Sequence, residues 1–194
     1  MYFYHIARFL VNVVFRIIFR IDIIGRENIP KEGRLVLCSN HISLLDPIML
    51  AIAVPRPISF MAKKELFENK VLSKLIYALG AFPVDRESSD LTAIKTSLRV
   101  LKDEKILGIF PEGTRVHEMN LENTKPGISL ISIKSKSPVI PIFIESKYKP
   151  FSRVTIKIGN PIYFDDHYGK KLNTEDYQDI SKYIMKSIYS LKTV

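Results

Sequence analysis

The sequence contains a single cysteine, Cys38, in 194 residues. One cysteine cannot form an intrachain disulfide or build a zinc site that needs several thiolates. Because Cys38 lies in an apolar run, we predict that it is a small buried side chain. The sequence also lacks internal repeats and low-complexity linkers, and its length suits one domain. Hydrophobic residues make up 46% of the chain, enough to bury a core, which excludes wholesale disorder.

Acidic residues are the other scarce group. The chain has 20 Asp and Glu against 29 Lys and Arg, which gives a formal net charge of +9. This excess predicts an anionic partner, and nucleic acid, an anionic bilayer and a phosphorylated substrate all fit. The sequence has no DNA- or RNA-binding motif and no basic strand rich in aromatic residues, so we expect no nucleic-acid partner.

The first 20 residues, MYFYHIARFLVNVVFRIIFR, have the pattern of an amphipathic helix. At about 100° per residue the polar side chains fall within roughly 120° of one face. They are His5, Arg8, Asn12, Arg16 and Arg20. A cleaved signal peptide would have no arginine in its apolar region. A membrane-spanning helix needs about 20 mostly uncharged residues, which this segment does not have.

These features predict an amphipathic helix that lies in the membrane interface, with its broad apolar face toward the acyl chains. Arg8, Arg16 and Arg20 would then contact anionic headgroups. We assign residues 1–24 to this helix and a lead-in strand, and residues 25–194 to the main domain. The alternative is a core helix that covers one side of the domain.

Apolar runs and helix-like segments alternate along the rest of the chain. After a short strand that ends near Gly25, strands are predicted at 34–40, 58–62, 81–85, 105–110, 139–145 and 154–159. Helices are predicted at 48–54, 65–80, 88–104 and 174–191. Asp46 and Pro47 signal a helix start, with the aspartate as N-cap. The alternation predicts a single layered α/β domain with a mixed, largely parallel central sheet flanked by helices.

Four polar segments follow predicted strands, and in open α/β sheets ligands bind where loops leave the carboxyl ends of strands. The segments are NHISLLDP (40–47), AKKEL (62–66), DRESSD (85–90) and PEGTR (111–115). If the strands run side by side, these segments meet at one edge of the sheet. That edge would carry His41, Asp46, Lys63, Lys64, Asp85, Arg86, Glu112 and Arg115.

His41 and Asp46 are the pair with the chemistry of an oriented base. Five residues correspond to about 140° around a helix, so the two meet only if His41 lies in a turn before the helix. The carboxylate would then bind Nδ1 and leave Nε2 as a general base, as in catalytic triads. In the alternative, Asp46 only caps the helix and His41 only bonds backbone, since this spacing is common by chance.

The PEGTR turn has the composition of an anion site. Its glycine lets backbone N–H groups approach an anion, and Arg115 can hold phosphate oxygens with its forked guanidinium. The alternatives are a plain β-turn with an exposed arginine and, at Lys63 and Lys64, a solvated pair of lysines.

Taken together, four sequence blocks resemble those of the glycerolipid acyltransferases. The blocks are NHISLLDP (40–47), GAFPVDR (80–86), FPEGTR (110–115) and SPVIPI (137–142), and the resemblance spans residues 34–145. The short length and AKKEL look most like the 1-acylglycerol-3-phosphate acyltransferases of that superfamily. The chain departs from the family pattern at Val116, where many members have serine, and at TKPGIS (124–129), which carries a proline.

The resemblance implies roles for the residues of this edge. His41 would take the proton from the 2-hydroxyl of lysophosphatidic acid, with Asp46 holding the imidazole in register. The positions implied for the substrate phosphate and its turn are Lys63, Arg86, Glu112, Gly113, Thr114 and Arg115.

The resemblance also implies the co-substrate and the location of the enzyme. The activated oxygen would attack the thioester of an acyl carrier protein or of coenzyme A, a transfer that needs no metal and no redox cofactor. Acyl thioesters are found in the cytoplasm. We therefore expect a peripheral or monotopic protein on the cytoplasmic side of the cell membrane.

Other functions fit parts of the sequence. A related acyltransferase acting on glycerol 3-phosphate or on another lysophospholipid would use the same dyad. A non-catalytic basic membrane scaffold would explain the N-terminal helix, but it leaves His41, Asp46 and the EGTR turn without a role. An acyl-transfer assay separates the scaffold from the enzymes.

Overall fold

The computed structural model describes residues 2–85, 91–116, 121 and 124–192. The helices are α1 (Tyr2–Ile18), α2 (Asp46–Ala53), α3 (Lys70–Ala78), α4 (Leu91–Lys102), α5 (Gly127–Ser135) and α6 (Thr174–Tyr189). The strands are β1 (Arg20–Ile24), β2 (Leu35–Ser39), β3 (Ile58–Lys63), β4 (Phe82–Val84), β5 (Ile106–Ile109), β6 (Val139–Ser146) and β7 (Arg153–Ile158). Short 3-10 turns lie at 26–28, 64–67 and 165–167.

The described strands form one sheet in the order β1-β7-β6-β2-β5-β3-β4. β6, β2, β5, β3 and β4 run parallel to one another, and β7 pairs antiparallel with β6 and parallel with β1. The predicted mixed, largely parallel sheet is confirmed. Because the five parallel strands share a direction, the loops that follow them meet at one side of the sheet, here called the carboxyl edge.

Helices cover both faces of the sheet, and β2 lies between them. Leu35 and Leu37 pack into the core under α1 and α2, whereas Val36 and Cys38 pack into the core under α4, α5 and α6. Side chains alternate between faces along a strand, so a strand covered on both faces is apolar throughout. Cys38 is buried as predicted, and burial raises the pKa of its thiol well above the ordinary value.

Two helical segments differ from the sequence prediction. The helix predicted over 65–80 is interrupted before α3, where the Asn69 side chain accepts hydrogen bonds from the N–H groups of Val71 and Leu72 and so begins a new helix. Helix α5 has no counterpart in the prediction. Its buried residues occupy several sides of the helix, so no single apolar stripe marks it. They are Ile128, Ser129, Ile131, Ser132 and Ile133.

The other two long helices agree with their predicted positions. α4 covers most of the helix predicted over 88–104, although the first predicted residues lie outside the described part of the chain. α6 begins at a capping box, in which the side chains of Asn173 and Asp176 accept hydrogen bonds from each other's backbone N–H. Its apolar residues Ile180, Ile184 and Ile188 are buried against the sheet.

α1 is present as a helix, but one of its arginines binds the domain. Arg8 Nε donates to the carbonyl of Ala51 at 2.6 Å, and its Nη atoms donate to the carbonyls of Ile52 and Pro55 at 3.4 and 3.3 Å. These carbonyls lie at the C-terminal end of α2, where unpaired acceptors and the helix dipole favour a cation. The guanidinium of Arg8 therefore fixes α1 to α2, which corrects its assignment to the headgroups.

We predict that Arg8→Gln lowers the free energy of unfolding by about 1–2 kcal/mol, because charged donors to three carbonyls are lost. Arg16 is the matched control, since it is exposed and bonds only Asn12 of its own helix among the described residues. Arg16→Gln should cost less than about 0.5 kcal/mol. Urea unfolding of both variants measures the difference, and equal losses would mean that the contacts of Arg8 with α2 do not contribute.

Candidate active site

The carboxyl edge brings together the polar segments that follow β2, β3 and β5. Leu37 of β2 and Phe60 of β3 lie level with Gly108 of the intervening β5. Three residues further along, Asn40 and Lys63 reach the edge two strand spacings apart, about 10 Å. The strand order therefore brings these segments together at one edge, as predicted.

His41 and Asp46 form a direct hydrogen bond at this edge. His41 Nδ1–H donates to Asp46 Oδ2 at 2.8 Å. The side chain of His41 is 9% exposed and that of Asp46 is fully buried. Among the described residues, Nε2 of His41 makes no hydrogen bond. The bond at Nδ1 sets the tautomer in which Nε2 carries the lone pair, as a general base requires.

The turn before α2 is folded around the Asp46 carboxylate. The backbone N–H groups of Ile42 and Ser43 both donate to Oδ2 at 2.7 Å. The N-cap position belongs to Leu45, which makes no side-chain cap, and Asp46 is the first helical residue. The prediction of Asp46 as N-cap is therefore corrected by one residue. Its carboxylate accepts hydrogen bonds from the turn and from the imidazole, and it does not cap the helix. Pro47 follows in the first turn of α2.

Aromatic rings cover one side of the base. The His41 ring stacks on Phe110, with centroids 4.1 Å apart and planes at 21°. Phe110 in turn lies 6.2 Å from Phe60 with nearly parallel planes. Gly108 makes room for this arrangement, because a Cβ there would collide with the Phe60 ring. The stack restricts the imidazole to one plane and keeps water from that side of it.

Glu112 connects the EGTR turn to the base. Its Oε2 accepts a hydrogen bond from the backbone N–H of His41 at 2.8 Å, and its Oε1 accepts one from the Tyr189 hydroxyl at 2.6 Å. The N–H of Val116 donates to the carbonyl of His41 at 2.8 Å. Burial raises the pKa of the Glu112 carboxyl, and the two donors partly offset this. Glu112 thus supports the backbone of His41, which corrects its grouping with the phosphate-binding residues.

The cationic side chains of the edge are exposed. Lys63 ends β3 and its Nζ lies 3.3 Å from Glu65, while Lys64 pairs with Asp85 at 2.6 Å. Thr114 and Arg115 are also exposed, and Gly113 has φ 67° in the turn. Arg86, predicted to assist them, lies outside the described residues.

Three side chains that support the site were not predicted. The Asn40 amide pairs with the backbone of β6, donating to Ile144 O at 2.9 Å and accepting from Ile144 N at 2.7 Å. The Tyr148 hydroxyl donates to Asp46 Oδ1 at 2.6 Å. Tyr189 reaches Glu112 from the end of α6. Each partner is far away in the chain, so the sequence contains no local signal for these contacts.

A cavity of about 570 Å³ opens beside the site, under the face of the sheet covered by α4 and α5. Its lining is mostly apolar and includes Met61, Val84, Ile94, Ile109, Ile128 and Ile131. Phe110 also lines it, and Phe110 stacks on His41.

Among the described side chains, no three His, Cys, Asp or Glu residues are placed to hold one metal ion.

The fold and the site define a class of protein. An α/β sheet whose carboxyl edge carries a histidine base, oriented by a buried carboxylate and backed by an apolar cavity, suits the activation of a substrate hydroxyl. The acyltransferase family model matches residues 20–145. The chain belongs to the acyltransferase family and is an acyltransferase, which confirms the resemblance seen in the four sequence blocks.

Individual relatives share this family. The chain is 35% identical over 152 residues to the 1-acyl-sn-glycerol-3-phosphate acyltransferase of Bacillus subtilis, with 75% of each chain covered. It is 32% identical over 173 residues to the Streptococcus pneumoniae enzyme of the same name, covering 85% of this chain and 63% of that one.

A solved structure shares the fold. The crystal structure of PlsC, the 1-acyl-sn-glycerophosphate acyltransferase from Thermotoga maritima, superposes with a TM-score of 0.69. The match covers 90% of this chain and 73% of that one at 24% sequence identity. The predicted single α/β domain with helices on the sheet is therefore confirmed.

Proposed function

We propose that the protein transfers a fatty acyl group from a thioester to the 2-hydroxyl of 1-acylglycerol 3-phosphate, which forms phosphatidic acid. The observation that carries this proposal is the His41–Asp46 bond, which leaves Nε2 available beside the EGTR turn. The names of the Bacillus subtilis and Streptococcus pneumoniae relatives support 1-acylglycerol 3-phosphate as the acceptor.

The proposed reaction is one acyl transfer with a proton shuttle. Nε2 of His41 takes the proton of the 2-hydroxyl as the oxygen attacks the thioester carbonyl, and Asp46 stabilises the imidazolium that forms. The C–O ester bond forms, the C–S bond breaks, and the imidazolium returns its proton to the departing sulfur. The products are phosphatidic acid and the free thiol of acyl carrier protein or coenzyme A. No electrons are exchanged, so the step requires no redox cofactor.

The exposed cations of the carboxyl edge are the proposed phosphate site. Lys63 and Arg115 can donate charge-assisted hydrogen bonds to phosphate oxygens, with Arg86 assisting. The backbone N–H group of Thr114 lies in the same turn and can approach the anion, whereas the N–H of Gly113 donates to the carbonyl of Phe110 at 2.9 Å and closes the turn. A phosphate held here would place the glycerol beside His41, because Lys63 is about two strand spacings away. The apolar cavity offers space for a fatty chain.

We predict that His41→Ala lowers turnover by about 10² to 10⁴-fold, the usual loss when a general base is removed. Asp46→Asn should also lower turnover, because an amide can present a donor to Nδ1 and favour the wrong tautomer. Initial rates of acyl transfer to 1-acylglycerol 3-phosphate measure both effects. His167→Gln, outside the edge, should keep normal rates. Near-normal activity of a folded His41→Ala protein would contradict the mechanism.

We predict that Lys63→Ala and Arg115→Ala selectively weaken use of the phosphorylated acceptor. Charge-assisted hydrogen bonds contribute about 1.5–3 kcal/mol each, so kcat/KM should fall about ten- to a hundredfold per substitution. The comparison is with a phosphate-free lysolipid, on which both variants should match the wild type. Lys102→Ala, at the opposite end of the parallel strands, is the control. Equal losses with both acceptors would assign the two residues a structural role.

We further propose that α1 holds the enzyme on the cytoplasmic surface of the membrane. The helix is docked on α2 through Arg8, and a broad apolar face points away from the domain. Its side chains are between 43% and 69% exposed, and they are Ile6, Phe9, Leu10, Val13, Val14 and Ile17. Arg16 and Arg20 are exposed at the end of α1 and the start of β1, where they can contact anionic headgroups. No helix in the described ranges is long and apolar enough to span a bilayer.

We predict that the double substitution Phe9→Ser and Ile17→Ser lowers binding to anionic liposomes by at least about tenfold, because two apolar side chains no longer enter the acyl region. Flotation measures binding, and activity on bilayer-presented acceptor should fall with it. Activity on detergent-dispersed acceptor should change less, since neither residue contacts the dyad. Tyr163→Ser with Tyr183→Ser removes comparably exposed rings elsewhere and is the control. Unchanged flotation of the α1 variant would refute the membrane contact.

A further inference from the structure

We propose that Tyr148 is a positioning residue for the dyad: its hydroxyl fixes the Asp46 carboxylate, and through that carboxylate it fixes the imidazole of His41. This inference rests on the proposed acyl-transfer function. It adds a residue from the loop between β6 and β7 to a dyad whose own two residues come from the turn after β2 and the start of α2.

The two oxygens of the Asp46 carboxylate have different surroundings. Oδ2 accepts from His41 Nδ1–H and from the N–H groups of Ile42 and Ser43. Oδ1 accepts from the Tyr148 hydroxyl at 2.6 Å, which is its one donor among the described residues. A carboxylate held at both oxygens cannot rotate about its Cβ–Cγ bond. Without Tyr148, the buried Oδ1 would have no partner, and rotation would move Oδ2 away from the imidazole.

Tyr148 is itself held firmly. Its backbone has φ 48°, a left-handed conformation that is unfavourable for a residue other than glycine. The Ser146 hydroxyl compensates by accepting the N–H of Tyr148 at 2.9 Å. The ring packs edge-on against Phe19, with centroids 5.9 Å apart. Phe19 is buried just after α1, so the proposed membrane helix reaches Asp46 through one ring and one hydroxyl.

The hydroxyl stays a donor at the pH at which the base works. Burial raises the pKa of Tyr148 well above its ordinary value, and the negative charge of Asp46 raises it further. A protonated phenol therefore faces the carboxylate throughout the neutral and mildly alkaline range. The titratable groups around Asp46 are His41, Tyr148 and Glu112, whose carboxylate reaches the backbone of His41.

The test compares Tyr148→Phe with the wild-type protein, using 1-acylglycerol 3-phosphate with acyl coenzyme A or acyl carrier protein in detergent. The expected result is a fall in kcat of about ten- to a hundredfold, the equivalent of one lost hydrogen bond to a charged group. KM for both substrates should stay within about twofold, since no substrate contact is removed. Tyr183→Phe, which removes an exposed hydroxyl from α6, should change neither quantity.

A proton NMR measurement tests the same inference without substrate. The Nδ1–H resonance of His41, assigned by its loss in His41→Ala, should move and exchange faster with water in Tyr148→Phe. Phe19→Leu keeps the hydroxyl but removes the supporting ring, so it should cause a smaller change in the same direction. If Tyr148→Phe does not fold, Phe19→Leu still tests whether the support of Tyr148 affects the Nδ1–H resonance.

The outcomes separate the two proposals. An unchanged Nδ1–H resonance or a wild-type kcat in folded Tyr148→Phe overturns the positioning role. A wild-type protein that transfers no acyl group from either acyl coenzyme A or acyl carrier protein overturns the proposed function instead. In that case the resonance still decides whether Tyr148 orients the pair.

Discussion

A carboxylate removed from water is unstable unless donors surround it, and the site depends on how this requirement is met for Asp46. Asp46 is fully buried, and four donors converge on it: two backbone N–H groups of the preceding turn, the imidazole of His41 and the hydroxyl of Tyr148. These donors come from the turn after β2 and the loop after β6. The buried charge therefore determines the shape of both segments, and the position of the base follows from it.

A second buried carboxylate, that of Glu112, fixes the backbone of His41, whereas the carboxylate of Asp46 fixes its imidazole ring. Glu112 binds the N–H of His41 and the hydroxyl of Tyr189, which joins the EGTR turn to the base and to α6. The Asn40 amide adds a pair of hydrogen bonds to β6. All of these contacts cross between neighbouring parallel strands or reach a helix behind them. Around this rigid scaffold, Nε2 of His41 makes no hydrogen bond among the described residues, and Lys63 and Arg115 are exposed.

The N-terminal helix has two faces with different surroundings, which its amphipathic pattern alone does not distinguish. Arg8 binds the carbonyl groups at the end of α2, and Phe19 packs on Tyr148, so α1 is part of the domain. Its other face remains apolar and exposed, as a helix in a membrane interface requires. The sequence left open a core helix and an interfacial helix. The contacts of Arg8 and Phe19 realise the first on one face of α1, and the proposed membrane contact rests on the other, exposed face.

The local sequence determined the α/β class, most strands and the pairing of His41 with Asp46, because periodicity and short spacings report on neighbouring residues. It did not indicate α5, whose residues are buried on several sides, because such a helix has no amphipathic stripe. Only the tertiary structure decided which distant groups complete the site. Tyr148 lies 102 residues from Asp46, and Arg8 lies 43 residues from Ala51. Contacts over such separations depend on strand order and helix packing, which are properties of the whole chain and leave no mark on any short stretch of it.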